Sequence, residues 1–221
     1  MTFHFNSKLC ELDKKLGGLE TGKSYYVAST CGNEATALLN TIALSVAEKN
    51  NVLYLSLDKK APKIFRELLS SETGIPYSDL RMNEPEIKEV ISKFTSYQMR
   101  INDENYSDKQ SLFRKLERYI GTGGARLIVI DRLDYADFFM GANFDETDNL
   151  INDIRDFAKE NDVCIITTLH IELPSDFPDT KIYLENLKTY KNSLLNVYIN
   201  QKLIYTPLHF ISECTKLVEE L

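Results

Sequence analysis

The sequence predicts an α/β protein with a mostly parallel central sheet flanked by helices. Short runs rich in β-branched residues alternate along the chain with amphipathic stretches of helical length. Most of these short runs are too uniformly apolar to keep one face in water, which is typical of central strands in a parallel sheet. With 221 residues, of which 43% are hydrophobic, the chain can bury one substantial core. We therefore expect a single domain over residues 1–221.

The predicted strands share short length and a high content of Val, Ile, Leu and Tyr. They are Ser24–Ser29, Val52–Asp58, Gln98–Asp103, Leu127–Asp131, Val163–Leu169 and Leu194–Ile199. The predicted helices have apolar residues three or four positions apart, or a proline in the first turn. They are Glu11–Leu16, Glu34–Lys49, Ala61–Ser71, Glu84–Phe94, Ser107–Ile120, Leu150–Glu160 and a closing helix near Ser212–Leu221. The acidic segment Ile171–Thr180 contains two prolines and is predicted to be a loop.

Composition argues against a metal site and against export. The cysteines form no C-x-x-C pair and the histidines are dispersed, so we expect reduced thiols and no metal. The start of the chain lacks the apolar run of a signal peptide, and the longest apolar stretches have the length of strands, which favours a cytoplasmic protein without a membrane contact. The net charge of −7 disfavours a partner bound mainly through its phosphates, such as DNA.

A phosphate-loop pattern, G-x-x-x-x-G-K-[ST], is present in the octet Gly17–Ser24. Its pattern residues are Gly17, Gly22, Lys23 and Ser24. A working phosphate loop follows a strand and opens a helix, because the helix N-terminus and successive backbone N–H groups bind the anion. The predicted order here is reversed, with a short helix before the octet and a strand after it. We therefore interpret the octet as a turn that leads into the first core strand.

The connection between the first predicted core strand and the helix Glu34–Lys49 lies where a phosphate loop belongs. It consists of Ser29, Thr30, Cys31, Gly32, Asn33, Glu34 and Ala35. In a working loop a lysine follows the last glycine and contacts the phosphates, and the next residue is a Ser or Thr that holds magnesium. Asn33 lacks the positive charge, and Glu34 adds a negative one. The sequence therefore predicts that tight Mg-ATP binding is lost and that no cofactor is bound, with Glu34 taking the place of the phosphate at the helix N-terminus.

Several segments follow the order of motifs in a known family of ATPases. They are Leu12–Leu19, Tyr25–Ala28, Val52–Asp58, Met99–Asp103, Gly123–Asp131 and Asn161–His170. In that order they resemble the RecA-like ATPase domain of DnaB-type replicative helicases, with a degenerate Walker A loop. The resemblance implies a RecA-like P-loop NTPase fold. Beyond Gln201 we find no counterpart of the family's terminal strands.

The resemblance also implies roles for three residues. Asp58 lies at the position of the glutamate that polarises the attacking water, and Asp131 lies at that of the Walker B aspartate, which orients magnesium. His170 lies at that of the sensor, which is usually Gln. Asp131 alone matches the family residue, since Asp58 is one methylene shorter and His170 differs in geometry and charge. We therefore expect no catalytic residues, and Asp131 is the candidate ligand if magnesium binds.

Three functions remain open. The favoured one is a pseudo-ATPase, a DnaB-like domain that has lost ATP and serves as a binding or assembly module linked to DNA replication, with a protein partner or further copies of itself. The second is an active ATP-dependent DNA helicase that uses ATP and magnesium through Lys23 and Ser24 or another unusual loop. The third is DNA binding without hydrolysis, through a basic helix face that a solvated helix would equally explain. That face comprises Lys109, Arg114, Lys115 and Arg118.

Overall fold

The computed structural model describes residues 2–29, 33–82, 84–139, 144–169, 180–186 and 192–219, without the side chains of residues 144, 145, 186, 192–194 and 205–207. The strands are β1 His4–Phe5, β2 Leu19–Glu20, β3 Ser24–Ser29, β4 Val52–Ser56, β5 Met99–Asn102, β6 Leu127–Asp131, β7 Cys164–Thr168, β8 Thr180–Asn186, β9 Asn192–Ile199, β10 Lys202–Ile211 and β11 Lys216–Glu219. The helices are α1 Cys10–Leu16, α2 Asn33–Ala47, α3 Ala61–Thr73, α4 Pro85–Thr95, α5 Lys109–Gly123 and α6 Phe144–Glu160.

Nine of the strands form one sheet in the order β11-β10-β9-β8-β3-β7-β6-β4-β5. The six strands from β8 to β5 are parallel to one another, whereas β9, β10 and β11 extend the sheet with antiparallel pairs. The short strands β1 and β2 pair separately. This arrangement confirms the predicted mostly parallel sheet flanked by helices. Because parallel strands share one direction, the ends of β3, β4, β6 and β7 meet at one edge of the sheet.

Helices bury both faces of the parallel strands. On one face, α2 and α3 pack Leu38, Ile42 and Leu68 into a cluster with apolar strand residues. On the other face, α5 and α6 contribute Leu116 and Ile154 to a second cluster. Strands β4, β6 and β7 are buried along their whole length. This explains their uniformly apolar sequences and why they could be recognised as central strands.

The carboxyl-terminal part of the chain differs from the expectation. The closing helix near Ser212–Leu221 is wrong, because a short 3-10 turn is followed by Thr215 with a positive φ of 48° and then by β11. The expectation that no terminal strands follow Gln201 is also wrong, because β10 pairs with both β9 and β11. Pairing with distant residues therefore overrides the local helical pattern.

Helix ends are set by local signals that the sequence carries. Asp108 caps α5, since its carboxylate accepts a hydrogen bond from the Ser111 backbone N–H at 2.7 Å, and Gly124 ends the helix in the left-handed region at φ 61°. The predicted loop Ile171–Thr180 lies outside the described residues, apart from Thr180, which begins β8. No helix among the described residues is long and apolar enough to span a bilayer.

Candidate functional site

The candidate site lies where the parallel strands end and α2 begins. Asp131 is the last residue of β6, Thr168 is the last of β7, and Thr36 belongs to the first turns of α2. Ligands of open parallel sheets bind at this edge, beyond the carboxyl ends of the strands. The helix N-terminus adds backbone N–H groups at the same place.

The Asp131 carboxylate is fully buried and hydrogen-bonded from three directions. The Thr36 hydroxyl donates to it, with distances of 3.1 and 3.3 Å to the two oxygens. The Thr168 hydroxyl donates to Oδ1 at 3.0 Å. The Tyr54 hydroxyl, on β4, lies 3.4 Å from Oδ2 but only 2.9 Å from Oδ1 of Asn40. The two threonines are therefore the principal donors to Asp131.

Burial dominates the electrostatics of this carboxylate. It raises the pKa of Asp131 from its usual 3.8 to about 6, and it outweighs the nearby positive charge of Lys59, which lowers that pKa. The negative charge of Asp58 raises the pKa further, whereas the two threonine hydrogen bonds lower it. Burial also raises the pKa of Tyr54 well above its usual value. The site is thus a poor environment for an additional negative charge.

The position of the phosphate loop carries no cation among its described residues. Asn33 begins α2 and is exposed, whereas Glu34 in the first turn is only 1% exposed. The preceding Ser29 ends β3, and Ala35 is buried. The candidate residues Thr30, Cys31 and Gly32 lie outside the described residues, as does the candidate sensor His170. Asp58 is described, and its side chain is exposed beyond the end of β4.

Two basic side chains near the strand ends already have acidic partners. Lys59 pairs with Glu67 at 3.2 Å, and their side chains are 14% and 8% exposed. The Arg132 guanidinium donates to both carboxylate oxygens of Asp134, at 3.2 and 2.9 Å. Neither cation is therefore available to a phosphate unless it gives up a well-placed carboxylate.

Arg132 also holds a backbone conformation that is unusual for a residue with a side chain. Its φ is 66°, in the left-handed region. This conformation accompanies a hydrogen bond from its backbone N–H to the Thr168 hydroxyl at 2.7 Å. Thr168 thus accepts from Arg132 and donates to Asp131, which ties the end of β7 to the turn after β6.

The described residues do not match the ligands of a magnesium triphosphate. Such a complex needs a lysine at the phosphates and oxygen ligands that can reach the metal. Here Asn33 and Glu34 occupy the lysine and hydroxyl positions, and both oxygens of Asp131 already accept hydrogen bonds. Among the described residues, His, Cys, Asp and Glu form no group of three or more that could hold a metal ion.

Comparison with known proteins places this fold in a family. The family model described as the DnaB-like helicase C-terminal domain matches residues 5–172. This chain belongs to that family. No curated protein matches the chain.

Two solved structures share the fold of this DnaB-like domain. One is an isolated ATPase domain that is 13% identical, with a TM-score of 0.80, and the match covers 98% of this chain and 91% of that one. The other, a DnaB-like replicative helicase solved to show its interactions with primase, is also 13% identical, with a TM-score of 0.77. That match covers 97% of this chain and 61% of the helicase chain, so this DnaB-like domain spans about three-fifths of it.

The octet Gly17–Ser24 lies at the opposite edge of the sheet. Gly17 ends α1 with a φ of 74°, and Ser24 begins β3. The six residues of β3, at ~3.3 Å each, separate the octet from the ends of the strands by ~20 Å. Lys23 pairs with Glu20 at 2.8 Å, and the buried Ser24 hydroxyl has no hydrogen-bond partner among the described residues. The helix precedes the octet and the strand follows it, as the sequence predicts.

The basic residues proposed for DNA contact lie on α5, and two of them are paired. Lys109 forms an ion pair with Asp153, and Lys115 pairs with Glu104 at 2.6 Å. Arg114 and Arg118 are exposed on the same helix. The structure therefore leaves two arginines, rather than four basic residues, on this face of the DnaB-like domain.

Sequence reasoning identified Asp131 but missed the residues that hold its carboxylate. Thr36 was missed because attention fell on Asn33 and Glu34, although a threonine one turn into a helix that starts at the site is a visible signal. Thr168 was also missed, although it is the last residue of the strand next to β6. Tyr54 gave no separate signal, because a tyrosine within an apolar strand is ordinarily a core residue.

Proposed function

We propose that this DnaB-like domain no longer binds or hydrolyses ATP and that it serves as a binding or assembly module. The observation that carries the proposal is the Asp131 carboxylate, which is fully buried and accepts hydrogen bonds from Thr36 and Thr168. A metal would have to displace those donors before it could use this carboxylate. The cost would be about 1–3 kcal/mol for each buried hydrogen bond lost.

The charge at the start of α2 opposes nucleotide as well. Glu34 lies in the first turn, where the triphosphate would approach, and its residue is buried. Two like charges about 4 Å apart repel by ~4 kcal/mol at an effective dielectric constant near 20. That repulsion alone corresponds to roughly a thousandfold loss of affinity. The absence of a lysine at Asn33 adds to the loss.

The same hydrogen bonds support a fold that is stable without nucleotide. Thr36, Asp131 and Thr168 belong to α2, β6 and β7, so contacts within the chain join the three elements at the edge where nucleotide would bind. A domain tied in this way can present its surfaces to other proteins in one fixed arrangement. The partner that we propose is a protein or further copies of this chain.

The link to DNA replication rests on the family and on a solved neighbour. The DnaB-like replicative helicase with this fold interacts with primase, which is another protein. The net charge of −7 and the ion pairs of Lys109 and Lys115 favour a protein partner over DNA. We therefore propose a role in a replication assembly that does not depend on ATP hydrolysis or on direct contact with the DNA phosphates.

Calorimetric titration of the purified protein with Mg-ATP tests this proposal. We expect no saturable heat at millimolar nucleotide, and the same molar mass by light scattering with and without Mg-ATP. Saturable binding at micromolar nucleotide would contradict the proposed loss of ATP binding. A purely monomeric protein that captures no replication protein would contradict the assembly role instead, so the two halves of the proposal fail separately.

A further inference from the structure

A cavity of about 240 Å³ lies at the opposite edge of the sheet from Asp131. It is formed by the amino ends of β4 and β5 together with the end of α5. Its floor is apolar, since Val52, Leu53 and Ala125 line it and are buried. Tyr97 and Tyr119 add two aromatic rings to its walls. The cavity is therefore shaped by groups that favour a flat apolar body.

Arg100 supplies the charge of this cavity. It is exposed on β5, and among the described residues it has no ion pair. Its guanidinium carbon lies 5.9 Å from the centre of the Tyr119 ring. None of the described residues that line the cavity is acidic. In a chain with a net charge of −7, a cavity that combines an arginine without an acidic partner and no acid is selective for an anion.

The other cations near the two tyrosines have acidic partners. Lys93 lies over the Tyr97 ring and pairs with Glu72, and Lys115 lies over the Tyr119 ring and pairs with Glu104. Arg100 therefore stands out among these cations, because its charge has no acidic partner. A guanidinium presents a planar fork of donors, which matches a carboxylate or a phosphate through two parallel hydrogen bonds.

We propose that this cavity binds a small flat organic anion. An aromatic ring of the ligand packs between the tyrosines over the apolar floor, and its carboxylate or phosphate is held by Arg100. The exposed amide of Gln98 lies at the rim and can donate a further hydrogen bond. The site is separate from the candidate nucleotide site, so it does not depend on the proposed loss of ATP binding.

Titration of the full chain with benzoate, followed by amide shifts in NMR spectra, tests this proposal. We expect saturable shifts at millimolar benzoate that cluster at Leu53, Arg100 and Tyr119. Arg100→Ala should weaken binding by at least about tenfold, because it removes the charged donors. Arg118→Ala is the matched control, since Arg118 is an exposed arginine of α5 outside the cavity and its loss should leave binding unchanged.

Two further probes separate this site from unspecific attraction. Benzylammonium, which has the same ring and the opposite charge, should not bind, and inorganic phosphate should bind more weakly than benzoate. The proposal is overturned if benzoate produces no saturable shifts, if Arg118→Ala weakens binding as much as Arg100→Ala, or if benzylammonium binds equally well. Both substitutions replace exposed side chains, so both variants should fold, which the spectra themselves report.

Discussion

The Thr36 hydroxyl lies 3.1 and 3.3 Å from the two carboxylate oxygens of Asp131, and so joins the start of α2 to the end of β6. Both residues are buried, with exposures of 3% and 0%. Because a buried carboxylate without donors is costly, this contact should contribute measurably to the stability of the fold.

Replacing Thr36 with Val tests that contribution. Valine keeps the shape of threonine but removes the donor, so Asp131 loses one of its two principal hydrogen bonds. We expect the free energy of unfolding to fall by about 1–3 kcal/mol, measured by urea denaturation. Thr41→Val is the matched control on the same helix. The Thr41 hydroxyl donates only to the Ala37 carbonyl, so the control should change stability by less than about 0.5 kcal/mol. Equal effects of the two substitutions would contradict this role of Thr36.

Stability should depend on pH through Asp131. Burial raises its folded-state pKa from 3.8 to about 6, so between those values the folded protein binds more protons than the unfolded chain. Stability from this group is therefore greatest at low pH and decreases as the pH rises through that window, by up to ~3 kcal/mol. The difference in unfolding free energy between the wild type and Asp131→Asn should follow that curve, because the other acids cancel. Parallel pH profiles for the two proteins would rule out a raised pKa.

Restoring the residues of a working phosphate loop should create nucleotide binding. The double substitution Asn33→Lys and Glu34→Thr supplies the missing cation and hydroxyl and removes a negative charge. We expect Mg-dependent ATP binding in the millimolar range, with affinity limited by the hydrogen bonds that still hold Asp131. Calorimetry measures it, and Glu34→Gln alone is the control that removes the charge without adding the lysine. A double variant that binds no more ATP than the wild type would count against the assignment of this loop.

Lys23 should be dispensable for both stability and nucleotide binding. Its ammonium pairs with Glu20, and its side chain is 54% exposed, so Lys23→Ala should change the unfolding free energy by less than about 0.5 kcal/mol. Introduced into the Asn33→Lys and Glu34→Thr variant, it should leave the new ATP affinity unchanged. If Lys23→Ala abolished that binding, the octet Gly17–Ser24 would be the phosphate loop after all.

The parallel part of the fold was predictable because its signals are local. The strand Leu127–Asp131 has the predicted bounds, since a run of apolar residues that ends in an acid has few other structures available. The β8 strand was missed although its alternation is visible. Ile182 and Leu184 are buried, whereas Tyr183 and Glu185 are half-exposed. Its place in the sheet depends on β3, more than a hundred residues earlier, and periodicity alone does not reveal such pairings.

The last strands show the limit of local reasoning more sharply. The register between β9 and β10 shifts between Ile204 and Leu208, a segment that contains Pro207, and proline inside a strand is normally a signal against one. In β11, Leu217 pairs with Phe210 and both are buried, so packing decides a segment that could also be read as a helix. For the candidate site the sequence named the carboxylate, whereas its donors depend on how three separate elements meet.

A crystal structure of the protein grown in millimolar Mg-ATP tests the central claim most directly. The account predicts that Thr36 and Thr168 remain hydrogen-bonded to Asp131 and that no triphosphate lies at the start of α2. A triphosphate held at that helix N-terminus, with a metal ion that reaches Asp131, would contradict it.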